Sequence, residues 1–557
     1  MKKLKNIAPI FIVIILSYFA IKPFFLPWFF PIHDDTQVQR VFEMHKSLSD
    51  GMFPVRWVSD LGYNYGYPIF NFYAPLVYYI GAGSMFFGFD ALVATKIMMV
   101  LGIILSGVFM YLLAKEFWGR GGGLISAVLY LFAPYHALNI YVRGDVAEFY
   151  AYAFIPLVFW GLWKIYKQEK WMHVIVASLA FAAIILSHNL TAMMIAPFIF
   201  VFSVILSLKA KNKTRSLLFL SLFLGIIISS FYTLPVFSEM KYTNVLSQIG
   251  GGADFRDHFV CPIQLWDSPW GFGGSTPTCV DGLSFKIGKL HILFFLSSLV
   301  SLFFFIKKQK LKFWIGVFSI LSVFLAAFLT LNYSFSIWNS IPQMAFIQYP
   351  WRFLIVIVFF ISFIGGSVVL LLRKFPRLFF TPVVLLVTLA IVYFNAEIFT
   401  PQTVLNKTAN DYTNDYHLRF TTSKISDEYM PVNFYKPKNF DEIPSSVISE
   451  TKDIKIVSES KKTKKVDTKI IALKETEVLA NLAYFPAWKV YVDGVKKEYS
   501  YSDRGLLIKI PQGEHDVRLE FVQTPIEKLG NLLSIAGILI LIIGIIIFQR
   551  QTSKSKV

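Results

Sequence analysis

The sequence predicts an α-helical polytopic membrane protein of about twelve transmembrane helices, with a β-sandwich outside the membrane just before the last helix. Three observations predict it. The chain has 557 residues, 55% of them hydrophobic, with 57 Phe, far too apolar for one soluble globule of this length. The apolar residues fall in blocks of about 20, the length that crosses a hydrocarbon core of roughly 30 Å. Lys and Arg collect in the short gaps between alternate blocks, as the positive-inside rule requires.

The blocks give spans at approximately 7–30, 92–114, 121–138, 149–166, 172–188, 191–208, 217–235, 289–306, 313–332, 353–372, 378–395 and 529–548. The first is too long for the apolar core of a signal peptide, and no small-x-small cleavage site follows it. With the N-terminus inside, the inner gaps hold 22 Lys/Arg, among them Lys115, Arg120, Lys164, Lys209, Lys307, Lys308, Arg373 and Lys374, against two acids, Glu116 and Glu169. The rest of the chain holds 31 bases (53 less 22) and 33 acids (35 less two). The net charge of +18 is therefore a topology signal, and no basic patch interleaved with aromatics speaks for nucleic acid. Both termini are expected inside a cytoplasmic (plasma) membrane, in contact with its lipids.

The inner gaps are too short to hold an active site. The outer side carries loops at 31–91 and 236–288 within a membrane domain of 1–395, then a domain at 396–528 before the final helix and basic tail at 529–557. Function is expected on that face. In the first loop, Val38, Val41, Phe42, His45 and Leu48 follow helical spacing until Ser49-Asp50-Gly51, and Pro75 to Phe89 reads as a helix lying at the interface. In the tail domain, period-two runs such as "WKVYVDGVKKEYSYS" and "HDVRLEFV" read as strands, with "VDGV" and "PQGEH" as hairpin turns. Cys261 and Cys279 share one outer loop and are expected to form a disulfide.

Several ionisable groups stand at the ends of apolar runs, where they are costly unless paired or functional. Asp34 and Asp35, in "PIHDDTQVQR", either cap the next helix or act on substrate: a carboxylate takes a proton from an acceptor hydroxyl, or holds a divalent cation (Mg or Mn) against phosphate, with Asp35 the metal partner. In "YVRGDVAEFY", Arg143 and Glu148 form an internal ion pair, or bind phosphate and line a cavity. Arg56 and Arg352 are interfacial arginines or clamps on a lipid phosphate, for which a planar guanidinium suits. His188 lies at an outer span end. In the loop that carries the cysteines, Gln264, Trp266 and Trp270 offer the amide and aromatic faces that a sugar ring needs.

These motifs, in this order, resemble the GT-C superfamily of multi-span glycosyltransferases. "HDD" occupies the place of its first-loop acidic motif. With "YVRGDVAEFYAYAFIPL", "SPWGFGGS" and "YPWRF", the chain is similar to the bacterial pyruvoyl-tetrahydropterin-synthase-related membrane family. "AYFPAWKVYVDG" resembles the C-terminal sandwich of its YfhO-like relatives. The resemblance implies transfer of a sugar from a polyprenyl-phosphate donor to a cell-envelope glycan, lipid or protein acceptor. Asp34 or Asp35 would then be the base, and Arg143, Arg352 or Arg56 would hold the leaving phosphate. It implies no pterin chemistry, which would need a zinc-binding histidine cluster. Two other classes compete: a flippase for lipid-linked glycan, whose marker would be charges deep within spans, with Lys22 the main candidate and a tilted or early-ending span explaining it equally well, and a non-catalytic glycan-binding envelope protein.

Overall fold

The computed structural model describes residues 2–250, 253–303, 309–372 and 376–554. Lys307, Lys308, Arg373, Lys374 and Lys556, used above for orientation, lie outside the described residues, as do the side chains of Lys2, Lys3, Lys5, Arg377, Arg550 and Lys554. The helices that matter below are α1 (Lys2–Ile21), α2 (Gln37–Ser49), α3 (Leu76–Met85), α4 (Ala91–Leu131), α5 (Pro134–Leu138), α6 (Val146–Gln168), α7 (Trp171–Ser187) and α8 (Asn189–Ser207). They continue as α9 (Asn212–Ile228), α10 (Ser230–Glu239), α11 (Lys289–Leu302), α12 (Lys310–Thr330), α13 (Leu354–Gly365), α14 (Arg377–Asn395) and α15 (Pro525–Lys554).

The chain is a multi-pass membrane protein. Among the described residues, eight helical stretches are long and apolar enough to cross a membrane alone, and α9 with the following stretch to Tyr242 makes a ninth, bent by 60°. Each of the twelve expected intervals falls mainly on helix among its described residues, and the difference in number has local causes. The second and third are the two halves of α4, joined by a kink at Gly119 (φ 79°, ψ −177°), and they lie side by side, with Gly107 against Leu131 and Gly123 against Lys115. A positive φ with extended ψ ends the first helix there and lets the second run back beside it, and glycine has no Cβ to oppose it. The fifth and eighth intervals are the shorter helices α7 and α11. The first ends at Phe25 and not at residue 30, because Pro23 falls in a closing 3-10 turn. Lys22 therefore stands exposed near the end of the span, three residues before Phe25, and not deep within it.

At the centre lies α13, apolar on every side and buried at all twelve positions, as a helix without a polar face must be. It packs on α4 and α12, while α6 packs on α4 and α7. Both α13 and α6 begin on the same face of the bundle, which puts Arg352 and Glu148 within ion-pair range of each other. The last helix, α15, lies on α9 and α10.

The tail domain is all antiparallel. One sheet runs β1 (Ile454–Lys462), β2 (Lys465–Ala472), β8 (Gly513–Phe521), β4 (Trp488–Val492), β5 (Val495–Lys497); the other runs β3 (Thr476–Ala480), β7 (Gly505–Ile510), β6 (Ser500–Ser502). Alternate residues of both, such as Val466, Ile470, Val490 and Leu519 against Val478, Leu506 and Ile508, meet in one core. Asp493 and Gly494, both at positive φ, make the two-residue turn expected at "VDGV". "PQGEH" is not a hairpin: β7 and β8 belong to different sheets, so this segment is the corner between them.

The sandwich sits on the first loop. Trp57, buried, packs its ring against Trp488, Phe485 and Phe521. Around it, Lys461 Nζ donates to Asn64 Oδ1 (2.7 Å), Thr463 N to Asp50 Oδ2 (2.7 Å), and Ala483 N to the Tyr65 carbonyl (2.8 Å). Residues 399–450, with only short helical turns, thread between sandwich and bundle. Their stretch at 425–429 reaches the site described next.

Candidate functional site

The segment after α1 is strapped to the chain before α6. His33 N donates to the Val142 carbonyl (3.0 Å), Asp34 N to the Arg143 carbonyl (2.9 Å), and the Gln37 side chain to the Gly144 carbonyl (3.0 Å). Gly144 makes this approach possible. It sits at φ 64°, and a Cβ there would stand 2.4 Å from Ile32. The strap fixes Asp34 at the wall of a cavity of about 350 Å³. Neither aspartate caps α2, whose N-cap is Thr36 and lacks a side-chain capping bond.

The cavity brings together Asp34, Asp145, His188 and Arg352, from four separate parts of the chain, with Arg40 of α2 and Ser426, Asp427 and Glu428 of the tail segment. Asp34 and Asp145 are in opposite electrostatic states. Among the described residues no protein donor reaches the Asp34 carboxyl; burial first, and then the charge of Asp145, push it up to about 6. Asp145 takes the Arg143 guanidinium at 2.7 Å and the Glu148 amide at 2.9 Å. Though buried, it is held well below the usual carboxylate range, chiefly by Arg143. A pair pushed apart in this way separates a group that can exchange a proton from one that stays charged.

Arg143 and Glu148 stand behind the cavity and do not line it. Arg143 Nη1 donates to Glu148 (2.9 Å) and to Asn139, and its guanidinium lies 4.7 Å from the Trp351 ring centre. It has no face left for phosphate. Glu148, fully buried, also takes Tyr135 OH and the Asn139 amide and faces Arg352 Nε at 3.5 Å. Removing one member of such a network would leave a buried charge unpaired, at a cost of about 3–5 kcal/mol. Arg352 donates to the Ile347 carbonyl (3.0 Å), and its Nε has no hydrogen-bond acceptor in the protein. His188 caps α8: its Nδ1 accepts the Thr191 amide at 3.3 Å, which leaves Nε2 for the cavity side.

The remaining expected residues lie elsewhere. Asp35 faces Lys407 and His417, and burial raises its pKa. Arg56 is buried in a second network, donating to Asn71 Oδ1 (2.6 Å), Asn531 Oδ1 (3.0 Å) and the Phe231 carbonyl (3.0 Å) beside Glu527. Cys261 and Cys279 form a disulfide. In their loop, Gln264 is buried, bonding Asp281 (2.6 Å) and the Cys261 amide (2.8 Å). Trp266 and Trp270 lie under Lys289 and Lys286. None of the three lines the cavity, although His33 ties this loop to the site through the Phe272 carbonyl (3.0 Å). Among the described residues no group of three or more His, Cys, Asp or Glu is placed to hold a metal ion, so the donor set does not fit a divalent cation held by protein side chains alone.

Sequence reasoning missed Arg40, Ser187, Ser426, Asp427 and Glu428. For Arg40 a signal existed: it lies on the otherwise buried side of α2 with Gln37, Val41 and Met44. The tail residues lie in irregular chain, which has no period to read.

Comparisons with known proteins agree with this architecture. Residues 70–249 match the family described as 6-pyruvoyl-tetrahydropterin synthase related domain, membrane protein. An uncharacterized protein of Lactococcus lactis subsp. cremoris is 24% identical over 241 residues, 41% of this chain, and the aligned part spans 39% of that relative's length. The apo crystal structure of the Archaeoglobus fulgidus oligosaccharyltransferase superposes over 79% of this chain and 62% of its own, at a TM-score of 0.51 and 13% identity. A structure of the same organism's oligosaccharyltransferase AglB with an inhibitory peptide and a dolichol-phosphate gives 0.50, 14% identity and the same coverage. The likeness is one of fold: the chain shares the overall architecture of these oligosaccharyltransferase structures.

Proposed function

We propose that the chain is a membrane glycosyltransferase that moves a sugar from a lipid-phosphate donor to a hydroxyl acceptor on the outer face of the cytoplasmic membrane, with Asp34 as base. One observation carries the reading. A carboxyl with no protein donor and a pKa near neutrality borders a membrane-surface cavity, opposite the permanently charged Asp145 and beside Arg352. Near pH 7 Asp34 is mostly ionised and can take the proton of an acceptor hydroxyl. The acceptor oxygen then bonds to the anomeric carbon, the bond from that carbon to the phosphate oxygen breaks, and the phosphate leaves with the electron pair. Arg352, whose Nε lacks a full partner, is the cation at hand for it. The fold shared with oligosaccharyltransferase supports the class, and the dolichol-phosphate bound by AglB supports a lipid-linked donor. The flippase reading loses its marker, since Lys22 is exposed at the end of α1.

The test is transfer from a synthetic polyprenyl-phosphate sugar by the full chain in lipid vesicles, followed by mass spectrometry. Asp34→Asn should lower the rate by a factor of about 10² to 10⁴, and Asp35→Asn by less than ten. Equal rates for wild type and Asp34→Asn in a folded protein would remove the proposal.

A further inference from the structure

The cavity has two walls. One holds Arg352 and Asp145, which ion pairs join through Glu148 and Arg143 behind it. The other is supplied mainly by the tail segment and α2. Arg40 Nη2 donates to Ser426 Oγ (3.1 Å), and Ser426 Oγ donates to Glu428 (3.1 Å). The Arg40 guanidinium lies 4.4 Å from the Tyr73 ring centre, and Tyr429 stacks on Phe72 with centroids 5.5 Å apart. Asp34 feels the charges of both walls, Arg40 from one and Arg352 from the other.

Four polar atoms on residues of this cavity are buried without a hydrogen-bond partner among the described residues: Thr36 Oγ1, Arg40 Nε, Ser187 Oγ and Arg352 Nε. Their residues are all at least nine-tenths buried, at 1%, 5%, 0% and 7% exposure. Buried polar groups of native proteins are satisfied by protein, water or ligand. Two of these are donors only, two are hydroxyls that give and accept, and the carboxylates of Asp34 and Glu428 only accept. A phosphate, which only accepts, could answer the arginines but neither carboxylate. A peptide backbone offers one donor per residue. Groups that both donate and accept at close spacing, over aromatic rings, are those of a sugar.

We infer that the wall of Tyr73, Arg40, Ser426 and Glu428 is an acceptor subsite for a saccharide, so that the molecule glycosylated is itself a glycan or glycolipid. In it Glu428 accepts a hydrogen bond from a hydroxyl next to the one that reacts, and so positions the acceptor toward Asp34. Asp427 is the poorer candidate for that bond, since Lys436 holds it at 2.7 Å. This inference rests on the glycosyl-transfer reading of the same cavity.

Two readouts separate the inference from that reading. The full chain in vesicles is given a polyprenyl-phosphate sugar with either a monoglycosyl diacylglycerol or a serine-containing peptide, and loss of donor to water is followed beside transfer. Glu428→Gln should raise KM for the glycolipid at least ten-fold and leave hydrolysis of the donor within two-fold of wild type, with Glu428→Asp partly restoring KM. Asp34→Asn should abolish both reactions. Hydrolysis that depends on Asp34, together with an unchanged KM in Glu428→Gln, a parallel fall in hydrolysis, or transfer to the peptide in preference to the glycolipid, would overturn the subsite alone. Hydrolysis and transfer untouched by Asp34→Asn would overturn the underlying reading.

Discussion

Asp34 states in one side chain what the site requires. Its carboxyl keeps its proton up to about 6, against 3.8 for an ordinary Asp, because the fold buries it beside Asp145. The folded state thus binds that proton more tightly than the unfolded one. Its contribution to stability is complete below about pH 4 and is lost as pH rises through 6. Asp34→Asn is expected to melt with wild type at pH 4 and above it at pH 7.5, while wild-type transfer climbs with a midpoint near pH 6. Coincident melting curves at pH 7.5, or a flat rate between pH 5 and 7, would contradict this. Asp34, His188 and Arg352 were legible because each breaks an apolar run at its end. Arg56 and Arg143 look the same in sequence and stand elsewhere: Glu527 and Asn531 take up one, Asp145 and Glu148 the other. A sequence carries no distances, so it cannot tell a free guanidinium from one with partners. Glu428, in chain without periodicity, gave no signal at all.

Elements were easier to read than partners. Apolar length found the helices, and period-two alternation with "VDGV" found the strands, since each depends on neighbours in sequence. The sheet corner at "PQGEH" depends on packing elsewhere, and was not legible. The contact between elements that matters most is Trp57 of the first loop against Trp488, Phe485 and Phe521 of the sandwich. Trp57→Ala should cost about 3–5 kcal/mol. It should also raise proteolytic cleavage within 399–450, because those residues are held between the two bodies. A melting temperature within a degree of wild type would show that the sandwich is held by the polar contacts of Lys461 and Thr463 instead.

On the scale of the whole molecule, the cavity, the disulfide loop and the sandwich share one face of the bundle. Among the described residues, basic gaps meet one another elsewhere, where Lys164 and Lys312 bond residues 116 and 117 and Thr214 bonds Glu169, and the proposed orientation puts them inside. A thiol introduced at Ser500, exposed on β6, should react with a membrane-impermeant maleimide in intact cells, and one at Lys209 only after the membrane is opened; the native cysteines are already joined to each other. The reverse pattern would turn the molecule over. The tail's approach to Asp34 also sets an order of events during synthesis. A ribosome delivers Asp34 near the beginning and Ser426 to Glu428 only after every span but the last. A chain halted before residue 425 carries Asp34, Asp145 and Arg352 facing an open mouth. One wall of the cavity is translated late, so a copy halted there lacks the residues that close it over Asp34.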